Sequence, residues 1–162
     1  MRKPRRRQAS LIGATHAAIG AMVGMGIKGK TASIGAGVVG SLLPDVDKKS
    51  TTIGNWLGIL ALPFRLIFKH RGGTHTLLSC LIFSSIFFII FKDIFLTLSF
   101  FTGFFLHLLA DGFTATGVKP FLPFSDYKIF ELPKWATFKV NGHKEYLLLA
   151  VLVLGLAMGG LK

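Results

Sequence analysis

The sequence predicts an all-α protein, a small polytopic membrane helical bundle of about five transmembrane helices plus an interfacial helix. Three observations predict it. Hydrophobic residues make up 51% of the chain and charged ones only 16%, where a soluble domain carries about a quarter charged residues. Mean hydropathy is +0.60. Most of the 16 Phe crowd between Phe83 and Phe124, an apolar payload that points to lipid as part of the solvent. The plainer alternative is a soluble helical protein with a large apolar core.

At 162 residues the chain fits one domain. Residues 1–10 read as a basic cytoplasmic tail and 11–162 as a single membrane-embedded helical domain. Arg2, Lys3, Arg5, Arg6 and Arg7 form the basic run. Beside an apolar segment such a run marks a cytoplasmic flank, and it can also contact anionic lipid headgroups. Nucleic acid is the disfavoured partner, because topology already accounts for the run. The start also has the outline of a signal peptide. No small-x-small site with a polar mature start follows it, so an uncleaved first helix is expected.

The apolar segments follow in order. Leu11–Ile27 and Thr31–Leu43 are rich in Gly and Ala, with Lys28-Gly29-Lys30 between them. Gly20 and Gly24 are four apart, as are Ala36 and Gly40, so these helices can pack as a close hairpin. Asp45 to Asn55 reads as a polar loop. Trp56–Phe68 carries Pro63 and Arg65 and reads as the interfacial helix. His75–Phe91 and Ile94–Ala110 are expected spans of about 17 residues, roughly 25 Å as helix, close to the lower limit for crossing. Only Lys92-Asp93 separates them, so they should pair antiparallel. Asp111 to Glu145 is a long polar stretch broken by Pro120, Pro123 and Pro133, and Tyr146–Leu161 is the last apolar segment.

A cytoplasmic N-terminus leaves Lys28, Lys30, Lys92 and Lys162 outside. The other 15 of the 19 basic residues then fall inside, as the positive-inside bias requires. The same topology gathers His16, His70, His75, His107, Asp45, Asp47 and Asp111 at one depth, near the cytoplasmic helix ends. The single cysteine, Cys80, excludes both an intrachain disulfide and a cysteine metal cluster. Any metal must therefore rest on imidazoles and carboxylates.

His107 and Asp111 are spaced i, i+4 and share a helix face. Such a pair can bind a metal from one side, although a hydrogen-bonded helix end would explain it as well. His70 and His75 flank Gly72-Gly73, where the backbone can turn so that both aim at one centre. Asp45 and Asp47 follow Pro44 and suit oxygen-preferring metals, while ion pairing with Lys48-Lys49 is the simpler account. His16 lies in an apolar helix, where a buried imidazole without a partner is costly. Together these residues are the right ligands for a divalent metal, zinc first, with manganese or iron as alternatives. A bound metal can lower the pKa of water to about 7. Arg71 can hold a phosphate or carboxylate oxygen. Thr15, Thr74 and Thr114 stand near expected ligands and can orient them. Glu145 can complete the site or act as a base, although an acid at a helix start is common without such a role.

Four pieces carry a family resemblance: Thr15-His16, Gly40 through Pro44 to Asp45-Val46-Asp47, His70-Arg71-Gly72-Gly73-Thr74-His75-Thr76-Leu77, and Gly103 through His107 to Asp111. Gly117-Val118 followed by Pro123-Phe124-Ser125 is a fifth. In this order, over about residues 13 to 125, the chain resembles the YdjM-type family, described as LexA-regulated, membrane-bound, metal-dependent hydrolases. The tail after Ser125 resembles the family less clearly. The resemblance implies a bacterial inner-membrane hydrolase of the SOS response with these His and Asp residues as metal ligands. The expected activity is hydrolysis of a phospholipid or other phosphoester at the cytoplasmic face, with Arg71 neutralising developing charge. The alternative is a non-enzymatic membrane protein that binds or transports metal. Substrate, metal count and oligomeric state have no signature in the sequence.

Overall fold

The computed structural model describes residues 13–28, 30–47, 73–114, 117–128 and 142–159. Among these residues the protein is all-helical, with five α-helices and no β-strand. They are α1 (Gly13–Ile27), α2 (Thr31–Leu42), α3 (Leu77–Phe91), α4 (Ile94–Gly112) and α5 (His143–Gly159), and α2 runs on into a 3-10 turn at Leu43–Asp47. The basic tail and the expected interfacial helix at Trp56–Phe68 lie outside the described residues.

Local chemistry sets the helix limits. Pro44 has no N–H to continue the α-helical ladder, and the chain tightens there into the 3-10 turn. Thr76 caps α3: its Oγ1 accepts from the backbone N–H of Ser79 at 3.1 Å. Helix α3 ends at Lys92, whose φ of 52° is left-handed. Asp93 then caps α4, accepting from the N–H groups of Phe95 at 2.8 Å and Leu96 at 3.1 Å. The Leu96 N–H, with that of Phe95 and the nearby charges of Lys28 and Lys30, holds the Asp93 carboxyl below the usual carboxylate range. Two residues thus reverse the chain, as the sequence predicts.

Helix α2 packs between α1 and α4, α3 packs on α4, and α5 packs on α1. The three central helices meet backbone to backbone. A Cβ added at Gly20 or at Gly103 would fall on the carbonyl oxygen of Gly37, and one at Gly40 on that of Phe100. Such contact is possible only with glycine, and it lets van der Waals attraction act between whole helix surfaces. The expected α1–α2 hairpin is present, and α4 joins it through Gly103. The apolar core, Ala36, Cys80, Phe100, Phe104 and Leu108, lies around this junction. Phe87 stacks on Phe100 with ring centroids 4.5 Å apart.

Elsewhere the usual distribution is inverted. Ser33, Ser41, Ser79, Ser84 and Ser99 are buried, while Ile89, Ile90, Leu147, Leu154 and Met158 are more than half exposed. Helix α4, with 19 residues, is long and apolar enough to cross a membrane, and α1, α2 with its turn, and α3 are apolar but shorter.

The bundle has two polar ends. At one, Lys28 Nζ sits 4.2 Å from the Phe95 ring centre, which joins the α1–α2 turn to the α3–α4 turn. The start of α1, the 3-10 turn, the start of α3, the end of α4 and the start of α5 gather at the other. Several boundaries differ from the sequence reading. Asp45 sits in the 3-10 turn rather than an open loop. The Thr76 cap starts α3 after His75, and α4 extends through Asp111. Helix α5 starts at His143, which places Glu145 in its first turn.

The glycine contacts make a direct prediction. Gly103→Ala should destabilise the protein by about 1–3 kcal/mol, because two backbones must separate. Gly35 has nothing within 4 Å of its added Cβ, so Gly35→Ala should be neutral or stabilise by up to about 1 kcal/mol. Thermal unfolding of both variants in detergent checks the pair.

Candidate metal centre

Three helix ends supply one cluster. Asp45 comes from the 3-10 turn, His75 from the bend before α3, and His107 and Asp111 from the last turns of α4. One ligand atom from each of the four lies within 4.8 Å of all the others. Asp45, His107 and Asp111 are buried, and the His75 side chain retains 11% exposure.

The backbone fixes the chemistry of His107. Its Nδ1–H donates to the carbonyl of Ser41 at 2.6 Å. A carbonyl can only accept, so the proton is on Nδ1 and the lone pair of the neutral ring is on Nε2. That atom faces Asp45 Oδ1 at 3.7 Å and Asp111 Oδ2 at 3.6 Å. His75 bonds Thr74 Oγ1 through Nδ1 at 3.0 Å. Its Nε2 faces Asp45 Oδ1 at 3.4 Å and Asp111 Oδ2 at 3.7 Å. The Nε2 atoms of His75 and His107 are buried and have no hydrogen-bond partner among the described residues.

These separations exceed the usual hydrogen-bond range of about 2.7–3.2 Å. They do suit side chains that share an ion. Nitrogen and oxygen ligands of a tetrahedral cation lie at about 2.0–2.2 Å, so neighbouring ligand atoms stand about 3.3–3.6 Å apart. The donor set, two imidazole nitrogens and two carboxylates, fits zinc, manganese or iron. The His107 hydrogen bond to a backbone carbonyl is the outer contact that commonly orients such a ligand.

The other expected residues fall as follows. His16 is wholly buried in the first turns of α1, and its Nε2 lies 3.3 Å from Asp111 Oδ1. Its ring stacks on His107 with centroids 3.8 Å apart. Glu145 is wholly buried, and Thr15 Oγ1 donates to its Oε1 at 3.4 Å. Thr114 Oγ1 donates to the backbone carbonyl of Asp111 at 2.7 Å. The Asp47 side chain, His70 and Arg71 lie outside the described residues. Sequence reasoning missed the Ser41 carbonyl. The only sequence signal for it was the small residue one position after Gly40, where another helix can come close enough to reach a backbone oxygen.

The family model described as YdjM inner membrane protein matches residues 11–161. The chain belongs to this family. The YdjM match runs past Ser125 into α5, so the C-terminal part, where the resemblance by motif weakens, is covered as well. The family description places the chain among inner membrane proteins. A relative at 33% identity over 119 residues is the uncharacterized protein YvsG of Bacillus subtilis (strain 168). The matched stretch covers 74% of this chain and 72% of that protein. No solved structure matches the chain.

Thr74→Val removes the hydroxyl that bonds His75 Nδ1. It should weaken affinity for zinc or manganese about 10–100-fold, the usual effect of losing an outer partner. Competition against a chromogenic chelator measures it.

Proposed function

We propose that this YdjM-family chain is a multi-pass inner-membrane protein with a cytoplasmic N-terminus and a metal-dependent hydrolase site at the cytoplasmic face. A phospholipid or other phosphoester is the substrate class. The observation that carries this reading is the convergence of Asp45, His75, His107 and Asp111 from separate helix ends.

The outward Ile, Leu and Val side chains of α3 and α5 support lipid around the bundle, since lipid removes the penalty that water places on them. The cluster sits at the end where α1 begins. The basic residues before α1 assign that end to the cytoplasm. The site then lies at headgroup depth, where a polar ester meets an apolar chain.

A divalent cation bound there would supply Lewis acidity and lower the pKa of a coordinated water to about 7. Asp45 and Asp111 provide the negative charge that holds a cation, and each imidazole is held by a hydrogen bond of its own. The Ser41 carbonyl holds the His107 Nδ1–H, which leaves the lone pair of the neutral ring on Nε2, and Thr74 orients His75. His75 is the most exposed of the four, which marks it as the side from which a substrate oxygen reaches the cluster. Arg71 is assigned to the charge that develops on a phosphoryl group, and Glu145 to a proton-transfer role. Zinc is the first expectation for the metal.

Purified protein should hydrolyse bis(p-nitrophenyl) phosphate or a fluorogenic phospholipid in vesicles. A chelator should abolish that activity, and zinc or manganese should restore it. His75→Ala and Asp111→Ala should lower it more than about 100-fold, beyond the loss expected from an outer partner. Activity unchanged in both variants would remove the cluster from the chemistry. Metal retained without any hydrolysis, together with flux in liposomes, would favour a transporter.

A further inference from the structure

We propose that this end of the bundle holds two divalent cations, with Asp111 as the bridging carboxylate and His16 as the imidazole ligand of the second. The inference rests on reading the four-residue cluster as a metal site, and it adds a second site that the cluster does not include.

Asp111 presents its two oxygens to different partners. Oδ2 faces His75 and His107 at 3.7 and 3.6 Å. Oδ1 faces His16 Nε2 at 3.3 Å. His16 is wholly buried, and neither of its ring nitrogens has a hydrogen-bond partner among the described residues. It lies nearly parallel to His107, with 23° between the ring planes. Two stacked imidazoles therefore address opposite oxygens of one carboxylate.

A simple ion pair explains this arrangement poorly. A charge-assisted N–H to carboxylate bond is about 2.7–2.9 Å long, well short of 3.3 Å. An imidazolium at His16 would also bury a charged Nδ1–H with no acceptor among the described residues, which costs more than burying a neutral one. Two ligands of one cation have no such difficulty, because a nitrogen and an oxygen each at about 2.0–2.2 Å from it stand about 3 Å or more apart.

Glu145 adds a carboxylate to the surroundings of α1 on the His16 side. Its carboxylate is wholly buried and meets α1 at Thr15, the residue before His16. Histidine and carboxylate ligands suit zinc, manganese or iron(II). A pair of such ions joined by a carboxylate is the arrangement that clamps the attacking and leaving oxygens of an in-line phosphoester displacement. The second site thus suits the phosphoester class already proposed.

The test loads the full-length protein in detergent with manganese(II), dialyses it, and measures metal per chain alongside the low-temperature EPR spectrum. Two manganese per chain with an exchange-coupled multiline signal is the expected result. His16→Ala should hold one manganese with an isolated six-line signal. His16→Gln, which keeps the bulk of the side chain, guards against a folding defect. One manganese per wild-type chain, or two retained in both His16 variants, overturns the second site and leaves the four-residue site standing. No bound manganese in the wild type overturns both.

Discussion

The structure depends on backbone contact among three helices. Gly37 stands at the centre, with Gly20 of α1 and Gly103 of α4 both pressed on its carbonyl. No side chain larger than hydrogen fits those points. Each glycine lies one helical turn from a residue that matters at the site: Gly20 from His16, Gly37 from Ser41 and Gly103 from His107. Close packing one turn inside the bundle therefore determines how near those residues come at its end. The Ser41 carbonyl reaches His107 Nδ1 at 2.6 Å because α2 and α4 are already in contact beside it. Packing sets the tautomer, and the tautomer turns a nitrogen lone pair toward two carboxylates.

The same packing explains how an apolar chain keeps a polar centre. Apolar side chains bring helices together less effectively in lipid, which solvates them well. The α1–α2–α4 contacts accordingly rest on Gly, Ala and Ser, with Phe100, Phe104 and Leu108 packed around them, and large apolar groups face outward on α3 and α5. Ionisable groups at such depth mark function by default. His16, His107, Asp111 and Glu145 are wholly or almost wholly buried at one end of the bundle, while Lys28 and Lys92 occupy the other. This one-sidedness suits chemistry at a surface better than a path across the bilayer.

Much of this was legible in the sequence, for reasons that differ from residue to residue. His107 and Asp111 announce themselves by spacing, because i and i+4 share a face on any helix. The α3–α4 hairpin is forced by a two-residue gap. The small residues of α1 and α2 predict close approach, but only the fold reveals that α4 is the third partner, since a single Gly103 in a Phe-rich run has no periodic signal. Asp45 read as a loop residue because Pro44 commonly ends a helix. The chain instead tightened into a 3-10 turn that carries Asp45 back over the bundle end. His16 looked like one more member of a single cluster. In three dimensions it stacks on His107 yet faces Asp111 Oδ1, whereas His75 and His107 face Oδ2, and no spacing in the sequence encodes which oxygen of a carboxylate a ring will face.

The central claim is that imidazoles and carboxylates from separate helix ends hold a divalent cation. X-ray absorption at the zinc edge of the purified, zinc-loaded protein tests it most directly. Nitrogen and oxygen neighbours at about 2.0–2.2 Å, with the outer scattering of imidazole rings diminished in His107→Ala, are the predicted result. Zinc that binds with the same spectrum in His107→Ala, or shows no imidazole scattering at all, would contradict it.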